Sequence, residues 1–166
     1  MVKTKLDITQ ERTTFKPFKY PWAYDAWLQH EQSHWLHSEV PMSEDVKDYK
    51  KLSKQEQEFL TKILRFFVQG DLDIGSGYHD HYIPVFKQPE VRMMMSGFAG
   101  REALHVAANA HLIETLGLPE STYNEFLEYK EMVEKHEYYQ NLGDAPMAEK
   151  IATISAFGEG MQLFSS

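Results

Sequence analysis

The sequence predicts an all-α fold, a bundle of long helices joined by short connections. Three observations predict it. No segment alternates apolar and polar residues with period two over any length. Apolar residues recur at helical spacing through several long stretches. Start and stop signals of helices bracket those stretches. Long helices with short connections pack as a bundle.

Residues 1–20 are largely polar and carry no clear period, so they read as an extended arm. Residues 21–166 form one domain, long enough to bury a sizeable core. A helix is expected from about Trp22 to His37, followed by a connection from Pro41 to Tyr49. Ser53 and Glu56 have the spacing of a capping box, which satisfies free amides at a helix start. Leu60, Leu64, Phe67, Ile74 and Tyr78 then recur at helical steps. That helix should run to about Tyr82, where Pro84 breaks it. Pro89 suits the first turn of the next helix, and Gly117-Leu118-Pro119 ends it. A fourth helix is expected from Ser121 to Tyr139, closed by Asn141-Leu142-Gly143. Asp144 can cap a fifth, with Pro146 in its first turn. Ile154 to Phe164 is still apolar and helical in pattern at Ser166, which reads either as a frayed last helix or as an interrupted one.

Composition bounds the chemistry. Hydrophobic residues make up 42% and charged residues 25%, values of an ordinary globular protein. The formal charge of −8 argues against phosphate-driven nucleic-acid binding, which needs Lys and Arg. There is no cysteine, so disulfides and thiolate metal sites are out. A metal site would use Asp, Glu and His, which suit iron, manganese or zinc. The N-terminus has no apolar signal region, and no apolar run approaches the roughly 20 residues that span a bilayer. A cytoplasmic protein is expected, with neither membrane nor nucleic acid as partner.

Three places can carry chemistry. Glu102-x-x-His105 puts both side chains on one helix face, with Met95, Phe98, Asn109, Leu112 and Leu116. A buried carboxylate beside a buried histidine is costly unless the two are paired or bind metal. Asp71 continues the stripe Leu60, Leu64, Phe67, whereas Asp73 lies roughly 200° around the helix and reads as solvated. Glu159 sits in AFGEGMQLF on the face of Ala152, Ala156 and Leu163. Its flanking glycines each weaken a helix by roughly 1 kcal/mol relative to Ala. Taken singly, each place also fits a core hydrogen bond, a salt bridge or an exposed terminal Glu. Together they match three of the four helices of a two-metal carboxylate bundle, in which two helices each give a carboxylate and two give Glu-x-x-His. A second Glu-x-x-His with an apolar setting is missing. Glu31 and His34 match by spacing, but their neighbours are polar and the turn reads as surface. His79, His81 and His111 point elsewhere, and His136 lies in a charged, solvated stretch.

FFVQGDLD, then GREALHVAANAHLIETLGLPESTYNEFLEYKEM, then FGEGMQLF resemble successive blocks of the class I ribonucleotide reductase small subunit. The resemblance runs from about Trp22 onward and covers about the first half of a typical member. It implies a ferritin-like bundle that is incomplete here and completed by a second chain bearing the missing Glu-x-x-His. Asp71, Glu102 and His105 would be ligands of one metal, Glu102 would bridge, and Glu159 would belong to a second. The pair would be Fe/Fe or Mn/Fe. It would activate oxygen and deliver an oxidising equivalent to a catalytic large subunit for deoxyribonucleotide synthesis, within a higher oligomer. Trp35, in EQSHWLHSEVP, falls where the family places an electron-transfer tryptophan. Asn109 stands where the family usually has its radical-storing tyrosine. That departure is compatible with a manganese–iron centre, with storage on another residue such as Tyr78, or with an inactive protein.

Two other readings stay open at this point. One is a ferritin-like metal-binding or storage protein completed by homodimerisation. The other is a non-catalytic fragment that only packs against a partner. A half-bundle leaves apolar faces uncovered, so the isolated chain is expected to aggregate, dimerise or stay partly molten.

Overall fold

The computed structural model describes residues 6–162, so Leu163 and Phe164 lie outside the described residues. These residues form six α-helices and no strand, as the missing period-two pattern predicts. The helices are α1 (Pro21–Gln32), α2 (Ser43–Lys51), α3 (Lys54–Ser76), α4 (Pro89–Leu116), α5 (Lys130–Gln140) and α6 (Met147–Ile151). Two of them run on into π-helical turns: α3 through Gly77–Tyr82, and α6 through Ala152–Gln162.

The two central helices start and stop where their signals lie. The Ser53 side chain accepts from the Glu56 amide, and Glu56 accepts from the Ser53 amide at 2.8 Å, closing the capping box. Pro89 opens α4, and Gly117 ends it in the left-handed region at φ 73°. Glycine tolerates that conformation without strain.

Four boundaries differ from expectation, each for a local reason. First, α1 ends at Gln32, because Ser33 turns back and its hydroxyl donates to the Gln29 carbonyl at 3.1 Å. Trp35 therefore lies off the helix. Second, the expected connection from Pro41 to Tyr49 contains α2. That helix is polar, so periodicity hides it, but Glu44–Lys47 (2.6 Å) and Asp48–Lys51 (2.7 Å) pairs support it, with acids first and lysines last. Third, the expected helix from Ser121 begins only at Lys130. Two 3₁₀ turns, Glu120–Tyr123 and Glu125–Glu128, precede it, and Tyr129 is extended. Arg65 on α3 pins this stretch by pairing with Glu125 and donating to the Tyr129 hydroxyl at 3.2 Å. Fourth, α6 starts after Pro146, and Asp144 ends a 3₁₀ turn instead of capping it.

The core lies where α3, α4, α5 and the final π-helical segment meet, around Ile74, Tyr78, Ala99, Tyr139 and Ile154. A Cβ on Gly77 would stand 2.8 Å from Ile154, so glycine permits that close approach. A smaller cluster, Ala23, Val91 and Met94, joins α1 to α4. The arm is tied down at the start of α4. Glu90, fully buried, accepts from the amides of Lys19 (2.6 Å) and Tyr20 (2.8 Å). Gln88 donates to the Gln10 carbonyl at 2.7 Å.

Asp73 and His136 correct the sequence reading, which made both solvated. Asp73 is only 4% exposed. It accepts from Gln69 Nε2 (2.9 Å) and Gln140 Nε2 (3.3 Å), and its Oδ1 lies 2.9 Å from His136 Nδ1. The reason is tertiary: α5 covers the side of α3 that faces away from Asp71.

Candidate metal centre

Three elements bring the predicted side chains to one cavity of about 390 Å³. α3 supplies Asp71, α4 supplies Glu102 and His105, and the π-helical segment after α6 supplies Glu159. One ligand atom each from Asp71, Glu102 and His105 fall within 4.8 Å of one another. Glu159 lines the same cavity but stands outside that trio. Phe66, Phe67, Ile74 and Phe98 make the walls largely apolar.

Neutral donors hold two of the carboxylates. Asn109 Nδ2 donates to Asp71 Oδ2 at 2.7 Å. The Tyr78 hydroxyl donates to Glu159 Oε1 at 2.5 Å. His105 Nδ1 lies 3.3 Å from Glu102 Oε2.

The charges of the cavity are strained by burial. Burial pushes the Asp71 carboxyl up, although the Asn109 donation pulls the other way. Burial also raises Glu159, against the pull of Tyr78. The hydrogen bond to Glu102 raises His105 and outweighs burial, which lowers it. Tyr78 is raised by burial and by its bond to Glu159. Half-buried acids held up in this way gain from a cation among them. The donor set, two carboxylate oxygens and one imidazole nitrogen in reach of a common point, fits iron, manganese or zinc.

Trp35 is half-buried in the irregular stretch after α1 and does not line this cavity. Asn109 contributes through Asp71. Reading the sequence missed His30 and Arg101, which both line the cavity. Arg101 donates to the His30 carbonyl at 2.9 Å, which joins α1 to α4 beside the site. His30 belongs to a turn that reads as solvated, so no pattern marks it. The signal for Arg101 is its place next to Glu102.

Comparison with known proteins decides the family. The family model described as "Ribonucleotide reductase, small chain" matches residues 12–166. The chain belongs to this family. It is 48% identical over 179 residues to a probable ribonucleoside-diphosphate reductase small subunit of Invertebrate iridescent virus 6, covering 97% of this chain and 50% of the relative. A second such small subunit, from Invertebrate iridescent virus 3, is 48% identical over 183 residues, covering 98% and 48%. The ribonucleotide reductase R2 subunit from Clostridium botulinum superposes with a TM-score of 0.74 at 18% identity, over 86% of this chain and 47% of that one. That likeness gives the small chain its ferritin-like helical fold. The chain spans about half the length of the curated relatives it matches. Small chains of this family carry a dinuclear metal centre and work with a large catalytic subunit in oligomers.

Proposed function

We propose that this chain is the N-terminal part of a ribonucleotide reductase small subunit and supplies part of its two-metal centre. The observation that carries the reading is the convergence of Asp71, Glu102 and His105 within 4.8 Å, in a chain of this family. Asp71, Glu102 and His105 would hold one metal, Glu102 would also be offered to a second, and Glu159 would serve that second metal. The other Glu-x-x-His of the bundle comes from a segment outside these residues, a reading supported by the length of the relatives and by the exposed apolar side chains of Leu72, Phe157 and Met161, which such a segment would cover.

When bound, the metals would supply activation of oxygen, and the resulting oxidising equivalent would go to a large subunit that reduces ribonucleotides. The chain's own residues prepare the place. Asn109 orients Asp71 by its amide. Burial raises the Asp71 and Glu159 carboxyls, so a metal would compete with protons for them more than at exposed carboxylates. The phenyl rings of Phe66, Phe67 and Phe98 give the cavity apolar walls. Trp35 serves electron transfer toward the large subunit. Asn109 cannot hold an oxidised phenoxyl, so the oxidising equivalent rests elsewhere, and a manganese–iron pair suits that.

The test is co-expression with a chain covering the second half of the relatives, followed by elemental analysis of the purified assembly. About two iron or manganese ions per pair of chains are expected, and Glu102→Ala should remove them. A well-folded assembly without metal would sink the reading.

A further inference from the structure

We propose that Tyr78 is a positioning residue for the second metal, holding Glu159 by one carboxylate oxygen so that the other faces the cavity. The inference rests on the two-metal reading above and deepens it.

The argument starts from unequal rigidity. Glu159 sits between Gly158 and Gly160 in a π-helical segment. Glycine loses the most backbone freedom on ordering, so this stretch restrains its side chain weakly. Gly158 is also closely packed: a Cβ there would stand 2.5 Å from Ile74 Cδ1 and 2.7 Å from the Tyr139 hydroxyl, so those side chains would have to shift. The backbone before Glu159 is therefore seated by contact, while the glutamate itself needs a tether.

Tyr78 is the opposite case. It is 4% exposed, in the π-helical turns after α3. Its ring packs edge-on against Tyr82 at 5.5 Å and Phe98 at 6.2 Å. Its hydroxyl reaches Glu159 Oε1 at 2.5 Å. A donor on a locked ring thus fixes an acceptor on a loose segment, so the orientation passes from Tyr78 to Glu159. With Oε1 accepting from Tyr78, Oε2 would be the freer oxygen to offer a metal. Asn109 acts on Asp71 in the same manner from α4. The two carboxylates flanking the cavity are each held by a neutral donor from a different element. Such partners typically change metal affinity 10–100-fold when removed.

The experiment titrates Mn²⁺ into the assembled protein and follows free and bound Mn²⁺ by electron paramagnetic resonance. Wild type should bind two ions. Tyr78→Phe should keep the first within about twofold and weaken the second roughly 10–100-fold. Tyr82→Phe is the control. It loses a buried hydroxyl one turn away, bonded to Ser155 at 3.0 Å, and should change neither affinity. A crystal structure of the wild-type assembly with Mn²⁺ needs no variant, and it should keep the Tyr78 oxygen within hydrogen-bond distance of Glu159. Unchanged binding in Tyr78→Phe, equal weakening of both ions, or a released phenol in the crystal would each overturn the proposal while leaving the metal reading intact. A wild-type assembly that binds no Mn²⁺ overturns both.

Discussion

Asp71 and Asp73 stand two residues apart on α3 and serve opposite sides of it. Asp73 faces α5, where Gln69, His136 and Gln140 surround its carboxylate at 2.9, 2.9 and 3.3 Å. Its hydrogen bonding closes within the chain. Asp71 faces the cavity, where Asn109 donates to it and Glu102 adds negative charge. Burial there leaves the carboxyl raised. A buried acid with all its partners ties helices together. A buried acid short of a cation marks a binding site.

The comparison breaks if the two aspartates answer alike. Asp73→Ala strands three polar groups between α3 and α5. It should lower the stability of the metal-free protein by roughly 3 kcal/mol, the scale for buried groups left unpaired. At this chain length that corresponds to a fall in Tm of roughly 6–12 °C. Asp71→Ala should leave metal-free stability within about 1 kcal/mol, because it removes a charge that burial already disfavours. It should abolish metal at the first position. Thermal melting followed by circular dichroism, with elemental analysis of the same samples, separates the two. Equal falls in Tm would make Asp71 structural.

The same contrast runs through what the sequence made legible. The long helices α3 and α4 were readable because their signals are local: a capping box at Ser53, a proline at 89, a glycine at 117. Asp71, Glu102 and His105 were readable because polar residues on an apolar stripe stand out. Asp73 was not, since its burial depends on α5, which lies some sixty residues later and has no apolar stripe of its own to announce the contact. α2 was hidden for the opposite reason, being a helix held by surface charge pairs with no buried residue. Tyr78 was visible as a phenol near Asp71, but its bond to Glu159 joins segments 81 residues apart, and spacing cannot reveal that.

Glycine substitutions sharpen the comparison at the next level of effect. Gly158→Ala drives a methyl into Ile74 and Tyr139, and overpacking of this kind costs about 1–3 kcal/mol. It should also shift Glu159 and reduce the second metal. Gly100, on α4, has open space where its Cβ would go. Gly100→Ala should raise stability by up to about 1 kcal/mol through helix propensity. Urea unfolding of both variants decides it, and a destabilised Gly100→Ala would mean that contact is not what sets Gly158 apart.

A smaller effect should follow pH. Asp71, Glu159 and His105 are all raised in the folded chain, so each binds its proton more tightly folded than unfolded. Their contribution to metal-free stability is fully present below the ordinary values, about 4 for the carboxyls and about 6.5 for the imidazole. It is lost as pH rises through the raised values. Metal affinity runs the other way, because the ligands must be deprotonated. Metal-free Tm should therefore fall as pH rises above about 4 for the carboxyl part and above about 6.5 for the imidazole part, while Mn²⁺ binding tightens. Asp71→Asn with Glu159→Gln should flatten the carboxyl part of that slope; an unchanged slope would place its origin elsewhere.

The smallest expected effect tests spacing itself. Glu31 and His34 have the same three-residue step as Glu102 and His105. Both are exposed at the end of α1, whereas Glu102 and His105 are half-buried beside Asp71. In water, an exposed carboxylate and imidazole are already solvated, so a cation adds little. In the cavity, the same two groups are partly shielded from water and share their surroundings with a third ligand. Changing Glu31 and His34 together to Ala should move stability by no more than about 0.5 kcal/mol, as surface substitutions do. It should leave metal content at the wild-type value. Loss of metal in that double variant would mean that the turn joins the centre in the assembled protein, and that burial in this chain is the wrong criterion for choosing between two equal spacings.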